Sequence, residues 1–269
     1  MSVALEAVSV LTGWGPGTDA LPADAARAAG GRAVIPLARP ALEGERFRRA
    51  TRECLLGVAA VDALLRGGGI ERDIIRGCST AFLYVTAAAY GASNQAFVVA
   101  EAMKQARPGA VSGGTYFPYT APSTMAGEVA IEFELTGPYG ILIGGAAATI
   151  DALWQATRLI ADGRCERAVV LAVETFEDCA DLYSRGRWLV KRPLVEAAAC
   201  ALLVPGARRV RYDAPRTPSA LETLTRARAG ETFACAPLIG LALARDAGAA
   251  DSVTLTGEWR GRRAGLHWE

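Results

Sequence analysis

Short apolar runs alternate along this chain with longer stretches whose apolar residues recur at helical spacing. Val3 to Leu11 reads as a strand that ends in the turn cluster Thr12-Gly13-Trp14-Gly15-Pro16-Gly17. Glu45 to Leu65 carries Leu55, Val58, Val61 and Leu65 on one face and Arg and Glu on the other, which predicts a helix stopped by Gly67-Gly68-Gly69. Gly77 to Val85 predicts a central strand, and Ser93 to Ala106 a helix stopped by Pro108. A short helix over Thr124 to Glu134 comes next, then a strand over Tyr139 to Ile143, a helix over Ala147 to Ala161 and a strand over Ala168 to Val173. Ala197 to Val204 closes the series. Strands separated by helices imply an α/β protein with a largely parallel or mixed sheet covered on both faces.

The character changes after Pro205-Gly206. Arg208 to Thr217 is basic and broken by prolines, Ala220 to Ala229 is a polar helix candidate, and Leu238 to Ala244 is a short apolar helix that Pro237 opens. Two runs, 252–259 and 264–268, flank Arg260-Gly261-Arg262-Arg263 and predict a terminal hairpin. The expected organisation is a main unit over residues 1–206, with 207–269 as a short remnant on the same core.

Composition excludes several classes of function. The net charge of +1 creates no field that would draw nucleic acid or a membrane surface. No apolar run reaches the ~18 residues a membrane helix needs, and the start, Met1-Ser2-Val3-Ala4-Leu5-Glu6, has no signal-peptide pattern. The cysteines Cys54, Cys78, Cys165, Cys179, Cys200 and Cys235 lack metal-ligand spacing and read as reduced thiols of a cytoplasmic protein.

The chemistry that stands out is an absence. Gly137-Pro138-Tyr139-Gly140-Ile141-Leu142-Ile143-Gly144-Gly145-Ala146-Ala147-Ala148 is a buried strand that breaks at a glycine pair and enters a helix. α/β enzymes place an activated Ser or Cys at such a turn, where the side chain is presented and the helix N-terminus stabilises an anion. Here the turn carries alanines. Reading the register differently leaves Cys165, Cys179 and Ser123 as nearby nucleophiles, and no histidine stands near them in sequence to activate them.

The flanks of that turn resemble the β-ketoacyl synthase family. Pro118-Tyr119-Thr120-Ala121-Pro122-Ser123-Thr124-Met125-Ala126-Gly127, continued by Leu135-Thr136-Gly137-Pro138, matches the family's P-x-T-x-x-N-x-x-A-G and L-x-G-P runs, with Ser123 at the Asn position. Ala156-Thr157-Arg158-Leu159-Ile160-Ala161-Asp162-Gly163 and the strand ending at Glu174 match the family's segment downstream of the catalytic Cys. Counted without a gap, the Cys position falls on Ala146. The resemblance covers roughly residues 1 to 206 and implies half of a thiolase-type layered fold. It also implies two histidines from the second half of a duplicated fold, whereas this chain has a single histidine, His267, in 269 residues. That length is short for two halves, so the second half is expected to be lost or reduced to residues 207–269.

The resemblance further implies that the loop with Tyr116, Phe117, Tyr119 and Thr120 lies on a dimer interface and reaches a partner's acyl tunnel. Tyr90 would stand near it, and the strand with Ile141, Leu142 and Ile143 would pair across the two-fold axis. Tyr84 and Phe97 read equally as core. Trp154, where family members carry a small residue, has two readings: it fills the vestigial pocket, or it is a core residue facing the sheet. Glu174 and Asp178 form a candidate acid/base pair, with a solvated loop face as the favoured reading, and His267 reads as a surface residue.

Together these features predict a catalytically dead subunit of the chain-length-factor kind. It would pair with an active β-ketoacyl synthase in type II polyketide or aryl-polyene synthesis, need no cofactor or metal, and meet acyl carrier protein mainly through its partner. The alternatives are an acyl-thioester enzyme of altered chemistry (a decarboxylase or hydrolase) and a structural scaffold.

Overall fold

The computed structural model describes residues 2–48, 50–87, 92–107, 117, 120–176, 192–248 and 252–269. In chain order the elements are β1 (Ser2–Thr12), β2 (Gly15–Pro16), α1 (Ala25–Ala29), β3 (Val34–Ile35), a 3-10 turn (Glu45–Arg48), α2 (Arg52–Gly68), α3 (Arg72–Ile75), β4 (Thr80–Thr86), α4 (Ala92–Ala106), α5 (Pro122–Glu132), β5 (Tyr139–Ile143), α6 (Gly145–Ala161) and β6 (Arg167–Glu174). They continue with β7 (Leu194–Val195), β8 (Ala197–Pro205), β9 (Arg208–Asp213), α7 (Ala220–Ala229), a 3-10 turn (Phe233–Cys235), α8 (Ala236–Asp246), β10 (Val253–Trp259) and β11 (Arg262–Trp268).

One mixed sheet in the order β10-β11-β9-β1-β8-β6-β4-β5 organises the chain. β4 runs parallel to both β5 and β6, while β8 is antiparallel to β6 and β1. Every residue of β4 is buried, the signature of a strand covered on both faces. Because side chains alternate, β4 sends Ala81, Leu83 and Val85 into the layer with Ile150 and Leu153 of α6, and Phe82 and Tyr84 into the layer with Leu55, Val61 and Val129 of α2 and α5. The expectation that Tyr84 is core therefore holds. Each fully buried leucine in these layers stabilises the fold by about 1.5–3 kcal/mol.

Local chemistry sets the helix ends. Thr51 caps α2 by accepting from the Cys54 N–H, and Gly69, at φ 63°, closes it in the left-handed conformation. This cap corrects the single helix expected from Glu45: the chain instead makes a 3-10 turn over Glu45–Arg48 and starts the helix at Arg52. Ser219 caps α7 through the Glu222 N–H, and Pro237 opens α8 as expected.

The terminal hairpin forms as predicted, but the basic segment before it is more regular than its prolines suggest. Arg208–Asp213 is strand β9: Val210 points into the core and the arginines flanking it point outward, so the basic residues are one face of an amphipathic strand. β9 pairs with both β1 and β11, which joins the hairpin to the same sheet as the rest of the chain. Among the described residues, no helix is long and apolar enough to cross a membrane.

Candidate functional site

The nucleophile-type turn forms where the sequence places it. β5 ends at Ile143, the Gly144 N–H donates to the Thr86 carbonyl at 3.0 Å, and Gly145 turns the chain at φ 55° into α6. Ala146 sits in the first turn of the helix with 5% of its surface exposed. The helix end that would stabilise an anion is thus present, but the side chain on it is a methyl group. No proton can be removed from it and no bond made through it.

The turn is closed from above by the terminal hairpin. Gly257 of β10 lies so close that a methyl group there would stand 2.7 Å from the Ala146 carbonyl carbon and 2.9 Å from its Cβ. The indole of Trp259 covers Gly145, where an added Cβ would meet ring atoms at 2.5–3.1 Å. Phe233 meets Trp259 edge-on at 5.2 Å between ring centroids, and Phe176 meets Phe233 edge-on at 5.3 Å. Sequence reading missed this stack. Its one local signal is that Gly257 and Trp259, two apart on a strand, share a face.

Glu174 corrects another expectation. It is not on a solvated loop but fully buried at the end of β6, with Oε1 accepting from the Ala87 N–H at 2.6 Å and the Ala234 N–H at 3.2 Å. Desolvation raises its pKa to about 8, against the opposing pull of those two bonds, and Oε2 has no hydrogen-bond partner among the described residues. Asp178, its proposed companion, lies outside the described residues.

Among the described residues neither the cysteines nor the histidine serve the turn, and the candidate Cys179 lies outside the described residues. Cys54, Cys165, Cys200 and Cys235 are buried, and burial pushes all four thiols above the ordinary range, Cys54 to about 11. His267 Nε2–H donates to Asp213 Oδ2 of β9 at 2.8 Å, and its Nδ1 hydrogen-bonds the Thr254 hydroxyl of β10 at 3.2 Å, a set that spans three adjacent strands. Its neighbours Leu266 and Trp268 point into the core layer with α6, so the imidazole faces the opposite side of the sheet.

Trp154 does not reach the turn. Its ring lies 5.8 Å from Tyr212 of β9, whose hydroxyl donates to Asp151, and Asp151 is also gripped by Arg262 at 2.5 and 2.9 Å. The indole that lies on the turn is that of Trp259, not Trp154.

The interface candidates divide. Tyr90, Tyr116 and Tyr119 lie outside the described residues. Phe117 is 64% exposed, with its ring 5.8 Å from Phe97, and the Thr120 hydroxyl donates to the Phe117 carbonyl at 2.9 Å. On β5, Leu142 packs into the α6 layer and Ile141 into the α2 layer, both partly buried, while Tyr139 and Ile143 are 50% and 54% exposed. Among the described residues β5 pairs only with β4, so its other edge presents unpaired backbone groups. Val98, Val99 and Met103 of α4 and Ile131 of α5 are also exposed.

A sheet with two parallel neighbours around β4, antiparallel strands beyond, helices on both faces and a nucleophile-type turn before α6 defines a thiolase-like architecture. The sequence profile of the β-ketoacyl synthase N-terminal domain matches residues 36–192, more than half of the chain, and the chain belongs to that family. The fold is similar to the ishigamide ketosynthase/chain length factor (16% identity, TM-score 0.72, covering 100% of this chain and 99% of that one). It is also similar to a β-ketoacyl synthase from Burkholderia phymatum STM815 (13%, 0.71, with 100% and 99% coverage). A third similar structure is the ketosynthase ApeO in complex with its chain length factor ApeC from Xenorhabdus doucetiae (15%, 0.62, with 100% and 99% coverage). A search of curated protein sequences gave no match.

Proposed function

We propose that this chain is a non-catalytic ketosynthase-like subunit that pairs with an active β-ketoacyl synthase and helps shape the partner's acyl tunnel, and so the length of its product. The observation that carries this reading is the methyl group of Ala146 at the nucleophile turn, closed over by Gly257 and Trp259. The open apolar edge of β5 supplies the complementary half: an N-terminal ketosynthase architecture that has lost its chemistry has kept a surface suited to strand-to-strand pairing. Similar folds occur in complexes of a ketosynthase with its chain length factor, which supports polyketide or aryl-polyene synthesis as the setting. In this reading the partner brings the Cys, both histidines and most of the docking surface for acyl carrier protein. Residues 207–269 pack on the same core as residues 1–206, and the pair works in the cytoplasm without a cofactor in this subunit.

Co-expression with an active ketosynthase encoded beside it, with pull-down and mass spectrometry of carrier-bound products, tests the reading. A stable pair whose products differ in length from those of the ketosynthase alone is expected. Malonyl-carrier turnover by the isolated chain would instead establish an enzyme of altered chemistry. Ala146→Cys is expected to leave condensation absent, because no histidine faces the turn among the described residues.

A further inference from the structure

A carbonyl attacked from position 146 would have to stand within about 3–3.5 Å of that side chain. The hairpin already fills this space. Gly257 backs directly onto Ala146, and on its α7–α8 side Ala146 borders a cavity of about 10 Å³, roughly the room of a single water. The filling is held from several sides. Phe233 keeps a left-handed backbone at φ 44°, which a bulky residue holds only when its surroundings enforce it. Those surroundings are Phe176 and Trp259, which meet its ring edge-on from two directions. Ala234, next in the chain, is clamped through both backbone groups: its carbonyl accepts from the Thr149 hydroxyl of α6 at 2.6 Å and its N–H donates to Glu174. Small residues at 145, 146 and 257 and a large one at 259 form a lock, since a methyl group added at Gly145 or Gly257 would run into the opposing element.

We propose that Gly257 and Trp259 are a built-in plug: this chain's own terminal hairpin stands where an acyl thioester would have to stand, so no acyl group enters the subunit at its own turn. Any acyl chain this subunit measures therefore belongs to the partner's site and meets only this subunit's outer surface. The inference rests on reading Ala146 as the nucleophile position. It fails separately from the pairing itself, because protection of the turn is read on the isolated chain.

A thiol placed at the turn reports on the plug. Ala146→Cys, alone and combined with Trp259→Ala or Trp259→Phe, is treated in the native state with iodoacetamide, and labelling is tracked peptide by peptide, with the exposed Cys78 as internal reference. With Trp259 in place, the thiol at position 146 is expected to label at least tenfold more slowly than Cys78. Trp259→Ala should raise its rate at least tenfold, and Trp259→Phe much less. Labelling at the Cys78 rate with Trp259 present overturns the proposal, as does unchanged protection in the Trp259→Ala chain. If the thiol itself prevents folding, thermal unfolding of Gly145→Ala, with Trp259 intact and combined with Trp259→Ala, decides. The plug requires Gly145→Ala to lower the midpoint more with the indole present, and equal losses in the two backgrounds overturn it.

Discussion

The N-terminus of α6 and the edge strand β5 adjoin in sequence and have opposite fates. At α6 the chain covers itself: Ala146 is buried, Trp259 lies on Gly145, and Glu174 is sealed in behind. At β5, immediately before it, the backbone edge is unpaired among the described residues and Tyr139 and Ile143 stand half in solvent. Intrachain packing has closed over the nucleophile-type turn and left the adjoining strand edge open. The difference teaches that closure of the turn and openness of the edge are set separately, because they depend on different neighbours of the same strand-turn-helix unit, and this is what lets the proposed loss of catalysis go with the proposed pairing.

The sharpest way to break the comparison is to put a charge on the open edge. Ile143→Asp places a carboxylate where the isolated chain is solvated, so the fold should survive, but pairing would bury it without a partner at about 3–5 kcal/mol. Co-purification with the ketosynthase should be lost while the circular dichroism and the melting midpoint of the lone chain stay near wild type. Ile141→Asp and Leu142→Asp are less clean, since both side chains pack on the core of their own chain and the lone chain should lose stability as well.

The closed region is tested by pH. Glu174 has a folded pKa of about 8 against an ordinary value of 4.5, so the folded state holds the proton more tightly than the unfolded state does. Its contribution is fully present below about pH 4.5 and is lost as pH rises through 8, an effect on the order of a few kcal/mol. Glu174→Gln keeps an acceptor for Ala87 and Ala234 and carries no charge, so denaturant midpoints measured from pH 5 to 9 should become flatter and the chain more stable at the alkaline end. A Glu174→Gln chain with the same alkaline loss as wild type would show that another group is responsible.

Phe117 sharpens the open side. Its ring is mostly exposed, so Phe117→Ala should change the stability of the lone chain by less than about 1 kcal/mol. If the ring bounds the partner's tunnel, carrier-bound intermediates should shift toward longer chains by mass spectrometry, with the rate of each condensation changed much less. Unchanged lengths in an intact pair would leave Phe117 a structural role only. The smallest effect belongs to Glu71→Lys: the side chain is exposed on the surface, so stability should move within about 0.5 kcal/mol and pairing should persist in the same pull-down.

Elements with a strong period are legible in the sequence. Tyr139–Ile143 and Ala220–Ala229 form over the residues predicted, and β4, β6 and β8 begin and end within a few residues of expectation. The departures have physical causes. Arginines on the solvent face of Arg208–Asp213 hide the alternation of that strand, and Thr51, set among polar residues that themselves suit a helix, delays α2 by capping it. Glu174 reads as solvated because a carboxylate at a strand end usually is. Only the arrival of Ala87 and Ala234 as backbone donors makes its burial tolerable.

By itself the sequence determined the order of the main strands and helices, the family resemblance and the alanine at position 146 of the strand-turn-helix. Each of these depends on residue type and spacing within a short window, where period and turn chemistry act. The tertiary structure decided that Trp259, and not Trp154, lies on the turn, that β5 is an edge, and that Glu174 is buried. Those facts depend on which distant segments share a sheet or a layer: β9 leaving β1 to join β11 is what carries Gly257 and Trp259 to α6, and no local pattern encodes that meeting.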